Sequence, residues 1–206
     1  MMSPKQSRGE ATAEKALRAA LDLYAAKGHA GLTMTALIAE TGISSGSLYH
    51  HFGGVDGLAA ALYARCVSAL MEALVAALED SATARDGVRA LVEAYLRFVQ
   101  ENRAAAHFVH ASSYADFLPA HAEALAAAKA PHMRRIGEWL RPHVESGRLA
   151  DLPDPLTEML VIGPVAEISR RWLAGAPGAD LTAATRLLPE RIWRSIRGDD
   201  AGSGGG

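Results

Sequence analysis

The chain has 206 residues, 50% of them hydrophobic and 21% charged, with a net charge of −2. Those values allow a sizeable buried core and exclude global disorder. They also exclude a uniformly basic nucleic-acid binder, though not a local basic surface. Alanine, the best helix former, supplies 42 residues, and few segments alternate as a half-buried strand would. An all-α fold is expected. The single Cys66 leaves no internal disulfide and fits a reducing cytoplasm. The polar start offers no apolar run for a signal peptide, and no stretch of about 18 uncharged apolar residues suggests a membrane span.

The first helix is expected from Glu10 to Lys27, behind a capping-box spacing of Ser7 and Glu10. Ala13, Ala16, Leu17, Ala20, Leu21 and Tyr24 form its apolar stripe, and Gly28 ends it. Thr33 is a candidate N-cap for a short helix, Met34 to Glu40. Gly42 closes that helix, and Ser44 or Ser45 opens a third that ends near Phe52. Two short helices joined by the turn Thr41-Gly42-Ile43-Ser44, packed on a preceding helix, make a helix-turn-helix. Leu37, Ile38, Leu48 and Phe52 are expected in its small core, with Ile43 as a plug.

This arrangement leaves the start of the third helix exposed. Small Ser45, Gly46 and Ser47 let it sit deep in a major groove. Thr33 and Thr35 lie at a helix N-terminus, where free N–H groups favour phosphate. Tyr49 brings a hydroxyl, and His50 and His51 bring ring N–H groups. Residues 1–65 hold six Lys/Arg against five Asp/Glu, a net of +1. DNA binding therefore rests on motif geometry, not on a charge field.

From Val55 a long helix is expected to about Asp80, with Leu58, Leu62, Cys66, Leu70, Leu74 and Leu78 spaced by four. Further helices are expected over Asp86–Glu101, Ala104–Ala115, Leu118–Ser146, Leu156–Leu173 and Ala179–Arg197. Pro131 should break or kink the third of these and Pro164 kink the fourth. Residues 198–206 read as a flexible tail.

The segment Thr33–Phe52 (TMTALIAETGISSGSLYHHF), with Gly53 and with Ala20, Leu21, Leu23, Ala26 and Gly28 before it, resembles the DNA-binding segment of TetR-family transcriptional regulators. The likeness covers roughly residues 10–64. It implies a homodimer on a near-palindromic operator and a helical C-terminal domain that takes a small effector. By the resemblance His51 is a phosphate contact, and Ser44 is counted among the DNA-binding candidates. Where the family commonly has a Lys at the start of the fourth helix, this chain has Val55. That removes one expected phosphate contact, worth about one unit of salt slope; Lys5, Arg8 or Lys27 are alternative anchors. The resulting division is 1–54 for DNA, 55–197 for ligand and dimer, and 198–206 for the tail.

Effector-pocket candidates are Phe98, His107, His110, Tyr114, Phe117 and Trp139, aromatic and imidazole groups suited to a largely apolar ligand. No tight metal-ligand spacing and no Cys pair occur, so no metal or other cofactor is expected. No nucleophile–base spacing or P-loop points to catalysis. For dimerisation, Leu156, Met159, Leu160, Gly163, Pro164 and Ile168 are grouped with Leu181, Ala184, Leu188 and Ile192 on the final helix pair.

Overall fold

The structure is a computed structural model that describes residues 4–112 and 115–198. It is all-α among the described residues, apart from one isolated antiparallel bridge between Leu149 and Arg197. Helix α1 (Pro4–Lys27) is followed by a 3-10 turn (Gly28–Gly31), α2 (Met34–Thr41) and α3 (Ser45–Phe52). Then come α4 (Val55–Glu79), α5 (Ala84–Glu101), α6 (Arg103–Ala111), α7 (Phe117–Ala120), α8 (Ala122–Glu145), α9 (Asp154–Leu173) and α10 (Leu181–Ile196).

The chain divides into two compact units: residues 1–67 with 104–128, and residues 68–103 with 129–206. The turn at Gly53-Gly54, where a boundary was expected, lies within the first unit, which takes in the start of α4 as far as Val67. In that unit Ala16, Ala20 and Tyr24 of α1, Leu37 of α2, Leu48 of α3 and Leu58 and Leu62 of α4 are all buried. Fully burying one such leucine stabilises the fold by about 1.5–3 kcal/mol. In the second unit α5, α9 and α10 pack on one another. Val88, Leu91, Val92, Tyr95 and Val99 form the inner face of α5, as their spacing predicts.

Helix α4 is long and apolar enough to cross a bilayer by length and composition alone. Its row Leu58, Leu62, Cys66, Leu70, Leu74 and Leu78 is buried, so that apolarity is spent on the protein core.

Several expected boundaries move. Helix α1 reaches back to Pro4, so Ser7 lies inside it and not at its N-cap; proline is well suited to a first turn. Helix α5 starts at Ala84, because Thr83 accepts from the Asp86 N–H and caps it. The expected helix Ala104–Ala115 is Arg103–Ala111. The single helix expected over 118–146 is two, parted at His121, while α8 runs unbroken through Pro131 and Pro142. Proline removes only its own N–H bond, and the rest of the ladder carries the helix across. Pro164 likewise sits inside continuous α9. Gly198, expected in the tail, donates its N–H to the Arg148 carbonyl at 3.1 Å. Residues 199–206 lie outside the described residues.

Candidate nucleic-acid interface

Local hydrogen bonds build the helix-turn-helix. Thr33 accepts from the Ala36 N–H at 3.1 Å and starts α2. At the other end, buried Thr41 donates its hydroxyl to the Leu37 carbonyl at 2.7 Å and accepts from the Ile43 N–H at 3.1 Å. Gly42 between them has φ +68°, a left-handed conformation that costs a β-carbon-bearing residue about 1 kcal/mol or more. Ser44 then accepts from the Ser47 N–H at 3.3 Å and opens α3. Each cap of this kind contributes about 1 kcal/mol.

Two long-range polar ties seat the motif on its neighbours. Lys15 of α1 donates to the Thr41 carbonyl at 2.7 Å, satisfying the end of α2. Arg65 of α4 makes a two-pronged pair with Glu14 of α1, at 2.6 and 3.2 Å. Both were missed in the sequence, where charges on a helix read as solvated surface.

The outward face of α3 is as its small residues suggest. Ser45 and Gly46 are exposed and Ser47 is half-exposed. Tyr49 is 51% exposed. His50 is exposed, and so is His51, although His51 lies close enough that a β-carbon on Gly9 of α1 would touch it at 3.6 Å. Thr33 and Thr35 are exposed at the start of α2. Thr33 and Ser44 spend an acceptor lone pair on their caps but keep the hydroxyl proton, so each can still donate to a phosphate oxygen. Phe52 and Ile43 are half-buried, with Leu48 filling the centre of the motif. Val55 stands exposed at the first position of α4.

The candidate effector residues are divided between the two units. Phe98 is buried in α5 and Trp139 half-buried in α8, both in the second unit. Trp139 lies against the backbone of Gly87, where a β-carbon would overlap its ring, and stacks edge-on to His143 at 4.5 Å. His107, His110 and Phe117 belong to the first unit. His107 is bonded to Tyr24 at 2.7 Å, and Phe117 lends its carbonyl to His121 at 2.9 Å. Tyr114 lies outside the described residues. Two open depressions, of about 360 and 410 Å³, are lined by none of these side chains. One is bordered by Asp80–Ala82, Asp86, Arg89, Ala90 and Glu93; the other by Phe52–Gly57 and His121.

Cys66 is buried in α4, and burial pushes its thiol up to about 11, which leaves it protonated and unreactive at neutral pH. No group of three or more His, Cys, Asp or Glu side chains suited to a metal occurs among the described residues.

Residues 16–62 match the model of the family described as bacterial regulatory proteins, tetR family. No curated protein matches the sequence. Among solved structures, a TetR family transcription regulator from Marinobacter aquaeolei VT8 aligns with a TM-score of 0.71 at 17% identity, covering 94% of this chain and 100% of that one. The fatty acid degradation regulator FadR from Bacillus halodurans aligns with a TM-score of 0.70 at 15% identity, covering 89% and 99%. A TetR-like transcriptional regulator from Rhodococcus sp. RHA1 is 25% identical, with a TM-score of 0.58 over 88% and 93%. The first two likenesses concern the fold. The family match falls on residues 16–62, which take in most of α1, the helix-turn-helix of α2 and α3, and the start of α4.

Proposed function

We propose that the protein is a homodimeric repressor that reads a near-palindromic DNA operator and is released from it by a small, largely apolar effector. The observation that carries this reading is the exposed face of α3: Ser45, Gly46 and half-exposed Ser47, followed by Tyr49 and His50, with nothing within 4 Å of where a Gly46 β-carbon would stand. A helix with so little side chain at its leading end can approach base edges closely. Thr33, Thr35, Ser44 and His51 flank it with donors for phosphate oxygens. Residues 1–54 are the DNA-reading part on this view, 55–197 the effector and dimer part, and 198–206 a tail. Phe98, His107, His110, Tyr114, Phe117 and Trp139 remain the proposed effector residues. The protein acts in the cytoplasm, binds no membrane and catalyses no reaction.

The second copy docks on the last two helices. Leu156, Met159, Leu160, Gly163 and Pro164 lie exposed on one side of α9, and Leu187 lies exposed on α10. The grouping expected from sequence is corrected here: Leu181, Ala184 and Ile192 are buried within the protomer and are not offered to a partner.

Selection from a random DNA pool by the purified protein, at two salt concentrations, tests the reading. An enriched inverted repeat whose half-sites are one helical turn apart, or a multiple of it, is expected, with affinity falling as salt rises. No enriched sequence from folded protein at either salt would overturn it.

A further inference from the structure

Four rings from separate parts of the first unit meet at one point. Tyr24 of α1 is buried. Its hydroxyl is 2.7 Å from His107 Nδ1 of α6. Its ring meets Phe108 edge-on at 4.8 Å and His29 of the 3-10 turn edge-on at 5.1 Å. Phe108 is fully buried, and His29 lies 5.9 Å from it. The 3-10 turn itself sits tightly on α1, since a β-carbon on Gly31 would come within 2.6 Å of the Leu23 carbonyl oxygen.

We infer that the Tyr24–His107 hydrogen bond is a positioning contact through which α6 holds α1, and with it the helix-turn-helix, in the arrangement that binds DNA. The inference deepens the proposed function and rests on it. It adds a second route between residues beyond the head and the head itself, apart from the covalent continuation into α4.

The chemistry suits a latch. Burial raises the Tyr24 phenol above its ordinary value, so it stays a neutral O–H donor. In the tautomer with its proton on Nε2, His107 accepts the Tyr24 O–H hydrogen bond at Nδ1, and the rest of its ring is exposed. The bond is short, directional and partly shielded, and it joins side chains 83 residues apart. Packing of Phe108 on Tyr24 gives α6 a close fit, and the hydrogen bond fixes its register along α1. A shift of α6 relative to α1 must either carry the head with it or break this bond and leave a buried phenol without a partner.

The test is operator binding by the full-length protein, using the DNA sequence that the unmodified protein enriches from a random pool. The variants are Tyr24→Phe, His107→Leu, their combination, and His107→Asn, which places a carbonyl acceptor where Nδ1 stands. Tyr24→Phe removes a single oxygen and safeguards against loss of folding, and thermal melting of every variant identifies any that unfolds. Tyr24→Phe and His107→Leu are each expected to weaken binding about three- to tenfold. The double variant should be no weaker than the worse single one, and His107→Asn should stay within about twofold of the unmodified protein. The dependence of affinity on salt should not change, because no phosphate contact is lost. Unchanged affinity in the folded single variants, or losses that simply add, would overturn the latch and leave the DNA-binding reading standing. No enriched sequence from the unmodified protein would overturn both.

Discussion

At Glu167 two arginines share one carboxylate. Arg170 reaches it at 2.8 and 2.9 Å and Arg171 at 2.6 Å, all on α9. The hydrogen bonds from Arg170 and Arg171 hold its carboxyl down at about 2, against an ordinary value of 4.5. The depressed value fixes the sign: any stability it contributes is present above about pH 4.5 and is lost as pH falls toward 2. The group is exposed, so solvent and salt screen the effect strongly. Carboxyl chemical shifts followed by NMR should place the Glu167 titration well below that of free glutamate, and 1 M salt should move it back upward. At this scale the sequence was legible where one residue acts on its near neighbours. Thr33 and Ser44 are caps as their type and position imply. Tyr24 was legible only as one more member of an apolar stripe, since nothing local announces a partner at His107.

Between elements, glycine decides how closely helices α5 and α8 approach. Trp139 rests where Gly87 has no side chain. Gly87→Ala gains about 0.8–1 kcal/mol of helix propensity but drives a methyl into a rigid indole, at about 1–3 kcal/mol. A net loss of up to about 2 kcal/mol is expected from denaturant unfolding. In a Trp139→Ala background the sign should reverse, because the obstruction is gone and only the propensity gain remains. Trp139 is legible in the sequence only as an aromatic candidate for the effector, and nothing local announces that its ring also rests against α5 at Gly87. Helical periodicity gives a residue's direction around its own helix but not the neighbour in that direction. The same limit explains the helix ends. Thr83 moved the start of α5 by two residues, and the interruption at His121 was hidden beside a proline, Pro131, that looked the stronger breaker.

For the molecule, the exposed face of α9 predicts assembly. Met159 is 65% exposed and Leu187 is 55% exposed, amid Leu156, Leu160, Gly163 and Pro164. On the proposed dimer, Met159→Arg would put a charge from each copy into the two-fold interface. Light scattering should report a monomer for this variant at concentrations where the unmodified protein is a dimer. Operator affinity should fall, since one protomer reads only one half-site. A dimer unaffected by the change would place the interface elsewhere. The all-α class and the helix-turn-helix were legible because both rest on short-range patterns: the four-residue leucine spacing of α4, and the Thr-Gly-Ile-Ser turn. The composition of the units was not. Residues 104–128 join the N-terminal helices through contacts such as Tyr24 with His107 and Phe108, which no local periodicity encodes.

That discontinuity has a consequence for biosynthesis. During synthesis Tyr24 and the family-matched segment, 16–62, are made before His107 and Phe108, so Tyr24 has neither its acceptor nor its aromatic cover at that stage. The first unit can close only after the whole of α5, which belongs to the other unit, has been translated. Its completion is therefore a late, long-range event in a helical protein whose other contacts are mostly local, and the nascent helix-turn-helix spends that interval incompletely covered.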